Sequence, residues 1–391
     1  MNRSEPLSVG LDLTQLIDTS GGQGRYAREL IRAMLAVEPQ TRLTLFVSAE
    51  APADLRREDW SDGVGWVRVP LRVSGGPPGN FALLMAWRWL GIGAVAAARR
   101  LDVIHGVANV APLVAPGVAR VVTLLDLIWI HHPDALEPAA NAGMRRIAPR
   151  SARAADRVIA ISEAARADLI RTLGLHAGKV DVTRLGIRPS DGAAATPEQA
   201  LRKRLGIGPG PIVLCVAQKR PHKNLARLVA ALAQVEDRRA QLALVGQATP
   251  HERELLALAE ELGLGDRVHF PGWLSEEELE GLYRASSCFV LPSLEEGFGL
   301  PVLEAMERDV PVACSNRSAL PEVAGGAAVL FDPLDPGDIA RATGRLLRDD
   351  TLREELVRRG RERCRLLTWE ATARATLASY RRALETRRRS E

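Results

Sequence analysis

Twice along the chain, short β-branched or leucine-rich runs alternate with helical stretches, and a cluster of turn formers separates the two series. Alternation of this kind specifies parallel sheets covered by helices, because a parallel strand pair needs a long crossover, which a helix supplies. The first series predicts strands at Leu7–Leu13, Arg42–Ser48, Val64–Val69, Asp102–His105, Ala119–Leu124, Arg157–Ile161 and Val180–Thr183, with helices at Gly24–Val37, Asn80–Arg100, Pro138–Ala154 and Ser162–Leu173. Ser162 reads as an N-cap.

The break follows at Pro189-Ser-Asp-Gly-Ala-Ala-Ala-Thr-Pro197 and, after a short helix, at Gly206-Ile-Gly-Pro-Gly-Pro211, and both read as linker. A second series predicts strands at Ile212–Val216, Gln241–Val245, Val268–Phe270, Cys288–Leu291, Val312–Ala313 and Val329–Phe331. Helices are expected between them and in a terminal segment after Thr368-Trp-Glu. A chain of 391 residues suits two domains. We therefore expect two doubly wound domains, 1–188 and 211–367, a linker at 189–210, and a last helix over 368–391. Ligands of such sheets bind outside the carboxyl ends of the strands, which places a cleft between the two halves.

Three segments carry candidate chemistry. Pro292-Ser-Leu-Glu-Glu-Gly-Phe-Gly-Leu-Pro-Val-Leu-Glu follows a strand and runs through a glycine-bearing loop into a helix opened near Pro301. Free amides at Phe298, Gly299 and Leu300, reinforced by the helix dipole, suit a phosphate. Glu296 sits just before this loop, and Glu304, one turn into the helix, has the chemistry to accept hydrogen bonds from a ribose diol. The second segment, Val216-Ala-Gln-Lys-Arg-Pro-His-Lys-Asn-Leu, leaves the first strand of the second series. Lys223 and one of Lys219 or Arg220 would neutralise a pyrophosphate whose charge grows as a sugar departs. The third, Gly21-Gly-Gln-Gly-Arg-Tyr-Ala, opens a helix and offers close backbone approach at Gly22 and Gly24. Its Gly22-x-Gly24-x-x-Ala27 spacing also matches the loose dinucleotide fingerprint, which keeps an NAD(P)-dependent oxidoreductase as an alternative.

Other classes are excluded by what is missing. There is no H-E-x-x-H, G-x-S-x-G or Walker loop, so neither a metal site nor a catalytic triad is expected. A formal net charge of +4 does not suggest nucleic-acid binding. The first seven residues lack the basic and apolar regions of a signal peptide, and Cys215, Cys288, Cys314 and Cys364 are widely spaced, which together predict a reducing, cytoplasmic setting. The apolar stretch Phe81–Ala98 contains Arg88 and is expected to pack within the first domain rather than span a bilayer. Arg145, Arg146, Arg150, Arg153 and Arg157 leave open a peripheral contact with the inner membrane. His105 and His132 lie near strand ends, where a cleft role competes with a structural one.

With these segments in view, the chain resembles the retaining, nucleotide-sugar-dependent glycosyltransferases of the GT-B fold, family 4. Glu296 to Glu304 matches the family's Glu-x7-Glu motif, Pro221-His-Lys-Asn its Pro-Arg-Lys-Asn, and Gly21 to Tyr26 its glycine loop. The resemblance implies two Rossmann-like domains facing across a cleft, the first on the acceptor side and the second holding the nucleotide sugar, with the last helix crossing back. It implies that Glu304 holds the donor ribose, that Lys223 and the amides of Phe298 to Leu300 hold the pyrophosphate, and that Glu296 faces the transferred sugar. Catalysis would fall to Glu296, Asp126 and Lys223, and donor binding to Gly22, Gly24, Arg220, Lys223, Phe298, Gly299, Leu300 and Glu304, with no metal and no cofactor beyond the nucleotide diphosphate sugar. Where the family often reads Thr-x-His-Asp, this chain has Thr123-Leu-Leu-Asp126, so Asp126, His131 or His132 would take over that contact. The expected partners are a nucleotide-sugar donor and a glycan or lipid-linked acceptor. GDP-mannose is the first donor expected, in surface polysaccharide assembly. A noncatalytic sugar-nucleotide-binding protein on the same fold is the other alternative.

Overall fold

The computed structural model describes residues 6–16, 21–69, 86–135, 138–190 and 193–389. The chain forms two units, one of residues 1–131, 136–186 and 368–391, the other of residues 132–135 and 187–367. Each is built on one all-parallel sheet.

The first sheet contains β1 (Ser8–Asp12), β2 (Arg42–Val47), β3 (Gly65–Arg68), β4 (Val103–Gly106), β5 (Ala119–Leu124), β6 (Arg157–Ala160) and β7 (Val180–Val182), in the order β3-β2-β1-β4-β5-β6-β7. The second contains β8 (Ile212–Val216), β9 (Gln241–Val245), β10 (Val268–Gly272), β11 (Cys288–Leu291), β12 (Val312–Ser315) and β13 (Ala328–Phe331), in the order β10-β9-β8-β11-β12-β13. Central strands such as β1, β4, β9 and β11 are buried along their whole length, as strands covered on both faces must be. Strand order reverses between β1 and β4 and again between β8 and β11. These reversals are the switch points at which open α/β sheets bind ligands.

Most predicted elements form within a residue or two of their expected limits, and Ser162 caps its helix by accepting from the Ala165 amide. Within the stretch 189–210 the expected short helix forms at Glu198–Leu205 with Leu201 buried, and the absence of a Cβ at Gly281 lets the Thr196 carbonyl approach the helix Glu276–Ala285. One expectation needs correction. The described part of the expected helix Asn80–Arg100 starts at Ala86, with residues 80–85 outside the described set, and opens with a wide π turn at Trp87–Gly91 before Ile92–Ala98. There Gly91 lies against the Trp87 ring, a Cβ on it falling 2.6 Å from that ring, and Arg88 turns inward to Asp12 at 3.4 Å. A buried Arg–Asp pair fixes this segment inside the first unit. No helix among the described residues is long and apolar enough to cross a membrane.

The last helix, Trp369–Arg388, packs on the first helix, Gly22–Val37, and belongs to the first unit. Gly186 permits this, since a Cβ there would lie 2.1 Å from the Trp369 amide nitrogen. Beneath the helices runs a buried chain of hydrogen bonds: Tyr26 Oη to Thr123 Oγ1 at 3.0 Å, Thr123 Oγ1 to His105 Nε2 at 2.8 Å, and His105 Nδ1 to Tyr380 Oη at 2.7 Å. His105 is therefore a structural residue holding the last helix to β4 and β5.

Burial pushes His105 down to about 3, so the ring is neutral in the fold. In the unfolded chain it titrates near about 6.5. The unfolded state therefore binds the extra proton first, so stability is complete above that pH and is lost as pH falls below it, at up to about 1.4 kcal/mol per pH unit. Six of the seven tryptophans lie in the first unit, so urea unfolding followed by tryptophan fluorescence reports on it. Between pH 6 and 4.5, roughly, His105→Gln is expected to flatten the acid loss by about that slope, and an unchanged slope would show that His105 is not the titrating group.

Candidate functional site

In the second unit the candidate groups sit on the loops that follow β8 and β11, the two strands flanking the switch point. Because these strands are neighbours, their loops meet: the Leu294 amide donates to the His222 carbonyl at 2.9 Å. Asn224, in the left-handed conformation at φ +60°, donates its buried side-chain amide to the carbonyls of Pro292 at 3.0 Å and Pro333 at 2.7 Å. That clamp fixes the loop carrying Lys223. Lys223 Nζ then lies 2.7 Å from Glu296 Oε1, which also accepts from Ser293 Oγ at 2.7 Å. Ser318 Oγ donates to the Glu296 carbonyl at 2.7 Å, tying the loop to the segment after β12.

The glycine-bearing turn behaves as its sequence suggests. Phe298 buries its ring, and Gly299 takes φ +103°, with a substituent Cβ placed 2.5 Å from Leu320 Cδ2. Only glycine fits there without strain. The helix Leu300–Glu307 follows with Pro301 in its first turn. Among the described residues, the amides of Phe298, Gly299 and Leu300 donate to no protein acceptor. Three such donors at a helix amino end have the chemistry that suits an anion. One turn further on, Glu304 is 7 % exposed and accepts from the Tyr283 phenol at 2.9 Å.

Lys219 and Arg220, which the sequence left as rivals, separate here. Lys219 is fully buried, its ammonium on the Gly246 carbonyl at 2.5 Å and 3.3 Å from Glu252, and burial lowers its pKa. It braces β9's carboxyl end and is withdrawn from the loop surface. Arg220 stays partly exposed, with Nε donating to Gln218 Oε1 at 3.1 Å. His222 is buried beside Lys223, and burial with that positive neighbour pushes it down to about 3, so it is neutral. Burial pushes all four cysteines up to about 12, which leaves them protonated.

Gly22, Gly24 and Asp126 lie in the first unit. Gly22 begins the first helix ten residues after β1 ends, whereas a dinucleotide fingerprint places its first glycine in the turn directly after the strand. Asp126 follows β5, and its Oδ1 accepts from the Ile128 amide at 3.1 Å, capping the short helix Ile128–His131. His131 is held by Asp168 at 2.9 Å. His132 groups with the second unit, 3.2 Å from the Glu295 carboxylate and with its ring 5.5 Å from that of His222. Sequence reading gave no role to Ser293, Ser318 or Tyr283, since common residue types at these positions carry no spacing signal. Asn224 was visible only as part of a motif.

Two parallel α/β units, one with amide donors and a lysine at its switch point, define the GT-B class of nucleotide-dependent transferase folds. Residues 197–363 match the model of the group 1 glycosyl transferases, and residues 20–191 that of glycosyltransferase family 4. The chain is 30% identical over 338 residues to a D-inositol 3-phosphate glycosyltransferase of Streptomyces bingchenggensis, covering 81% of this chain and 70% of that protein. It is 32% identical over 228 residues to O-antigen chain mannosyltransferase B of Escherichia coli, covering 57% of this chain and 60% of that one's length. In fold it is similar to sucrose-phosphate synthase from Thermosynechococcus elongatus, with a TM-score of 0.75 and 25% identity over 96% of this chain and 98% of that one. The chain belongs to glycosyltransferase family 4. The oxidoreductase alternative finds no support in these relatives or in the placement of Gly22.

Proposed function

We propose that this protein is a retaining, metal-independent glycosyltransferase that moves a hexose from a nucleotide diphosphate sugar to a hydroxyl of a glycan or lipid-linked acceptor. GDP-mannose is the first donor to test. The observation that carries the reading is the convergence, after β8 and β11, of Lys223, the unengaged amides of Phe298 to Leu300 and the buried Glu304. An ammonium and three amides are suited to a pyrophosphate, and a carboxylate one helical turn away is suited to a ribose diol. The relation to an O-antigen chain mannosyltransferase supports the sugar.

In this reading the second unit's residues act on charge. As the bond from anomeric carbon to phosphate oxygen lengthens, negative charge builds on the pyrophosphate, and Lys223 with the helix-end amides stabilises it. The acceptor hydroxyl oxygen bonds to the anomeric carbon on the face from which the phosphate departs and gives its proton to the leaving phosphate oxygen, and bond formation on that same face retains the configuration. Glu296, held by Ser293 and Lys223, faces the sugar as a hydrogen-bond acceptor. Asp126 is the first unit's candidate for a contact to the transferred sugar.

Calorimetric titration with UDP, GDP, ADP, dTDP and NAD, with and without magnesium, tests this without an acceptor. One nucleoside diphosphate is expected to bind at micromolar affinity or better, about 8 kcal/mol, equally well with chelator present. Binding of NAD alone would overturn the reading. Binding of a diphosphate without release of that diphosphate from any sugar donor would leave a noncatalytic binding protein.

A further inference from the structure

The structure assigns Tyr283 as the positioning residue of the donor site: its phenol holds the Glu304 carboxylate in the one orientation that accepts a ribose diol. The inference rests on the proposal that Glu304 binds the donor ribose.

Tyr283 lies on the helix Glu276–Ala285, outside every motif recognised in the sequence, and is 1 % exposed. Its hydroxyl donates to Glu304 Oε2 at 2.9 Å, so one of the two carboxylate oxygens is spoken for. A carboxylate on a glutamate side chain swings about three torsions, and a donor fixed on one oxygen removes most of that freedom. Such a bond sets direction only if the donor is itself immobile, and here it is. The Tyr283 ring stacks near Phe289, with centroids 6.1 Å apart, and the Arg308 guanidinium lies over the Tyr283 ring, 4.9 Å from its centroid. Arg308 is fixed in turn: Nε donates to the buried Glu280 carboxylate at 2.6 Å, and a terminal nitrogen donates to the backbone carbonyl of Glu304 at 2.9 Å. Glu280 is shared with Arg284 at 2.8 Å.

The arrangement is thus a closed loop of contacts. It runs from the Glu304 side chain through Tyr283 and Arg308 back to the Glu304 main chain, and Glu280, on the same helix as Tyr283, holds Arg308 in place. An isolated packing role for Tyr283 would not need the phenol oxygen aimed at this carboxylate. Recognition of two vicinal hydroxyls depends on carboxylate direction, whereas binding of the phosphates by Lys223 and the amides does not. Loss of the phenol oxygen should therefore weaken only that part of binding contributed by the ribose hydroxyls.

The test compares each ribonucleoside diphosphate with its 2′,3′-dideoxy counterpart by calorimetry on the full chain. Wild type is expected to prefer the ribo form of its cognate nucleotide by on the order of tenfold or more, the strength of hydrogen bonds to a charged group. Tyr283→Phe is expected to weaken the ribo form about tenfold and leave the dideoxy form within about twofold, so that the preference disappears. Glu304→Gln should remove the same preference. Equal weakening of both nucleotides in Tyr283→Phe would mean a merely structural role and overturns the inference. So does a preference that persists in Tyr283→Phe but vanishes in Glu304→Gln, and in that case the ribose reading of Glu304 still stands. If wild type does not distinguish the two sugars, that reading itself has failed. Should the phenylalanine variant not fold, Arg308→Gln, which frees the ring without removing its oxygen, is expected to shrink the preference in the same direction. An equal loss on both nucleotides there also overturns the inference.

Discussion

Lys223→Ala is expected to slow sugar transfer by a factor on the order of 10² or more, read as nucleoside diphosphate release from the donor. The size of the effect follows from where the ammonium sits. Its partner in the free protein, Glu296, is 2.7 Å away, so the two groups neutralise each other. Removing the lysine takes away a cation that would stabilise the departing pyrophosphate. It also leaves the Glu296 carboxylate uncompensated on the same loop as the amides that would hold that pyrophosphate, where like charge repels. The second contribution is separable. Lys223→Ala with Glu296→Gln should recover nucleotide binding relative to Lys223→Ala alone, while transfer stays slow because the cation is still missing. If the single variant transfers at the wild-type rate, Lys223 is not at the site. If the double variant binds no better than the single, the two residues act independently and their contact is incidental.

The second large effect is expected at Glu304. Glu304→Ala should lower kcat/KM for the donor by on the order of 10² or more, because the substrate loses the contact that orients its nucleotide half. Misplacement should be felt in both parameters, since a donor held only by its phosphates reaches the reacting geometry less often. The substitution also opens space beneath a buried phenol, whose hydroxyl loses its acceptor, so a modest loss of stability accompanies it. Glu304→Gln separates the two consequences. It keeps the volume and one acceptor oxygen, so stability should recover while a large part of the donor defect remains. Near-normal kcat/KM in both variants would remove Glu304 from the donor site.

Much of the architecture was legible because its determinants are local. Strands such as Ala119–Leu124, Ile212–Val216 and Cys288–Leu291 are apolar runs bounded by turn formers, and they formed at the predicted limits. The Glu296-to-Glu304 segment was equally readable, since the glycine at φ +103° and the proline in the first helical turn are dictated by backbone geometry over a few residues. The stretch 189–210 was legible as turns around a short helix, whereas the packing that buries Leu201 was not, because the helix it meets, Glu276–Ala285, lies far along the chain. The π turn at Trp87–Gly91 was likewise out of reach, because it depends on Arg88 meeting Asp12, 76 residues away.

By itself, then, the sequence determined the two parallel α/β halves, the glycine turn before Pro301 and the pool of charged residues on the loops after β8 and β11. All of these follow from periodicity, turn chemistry and composition within short windows. Only the tertiary structure decided which of those charges do what. Lys219 and Lys223 stand four residues apart on one loop, yet one ends buried on the Gly246 carbonyl and the other reaches Glu296. The choice is made by strand order, which brings the loop after β8 beside the one after β11. Asn224 reaches the Pro292 carbonyl for the same reason, since a partner on the next loop is fixed by which strands are neighbours, and no short window of sequence carries that information.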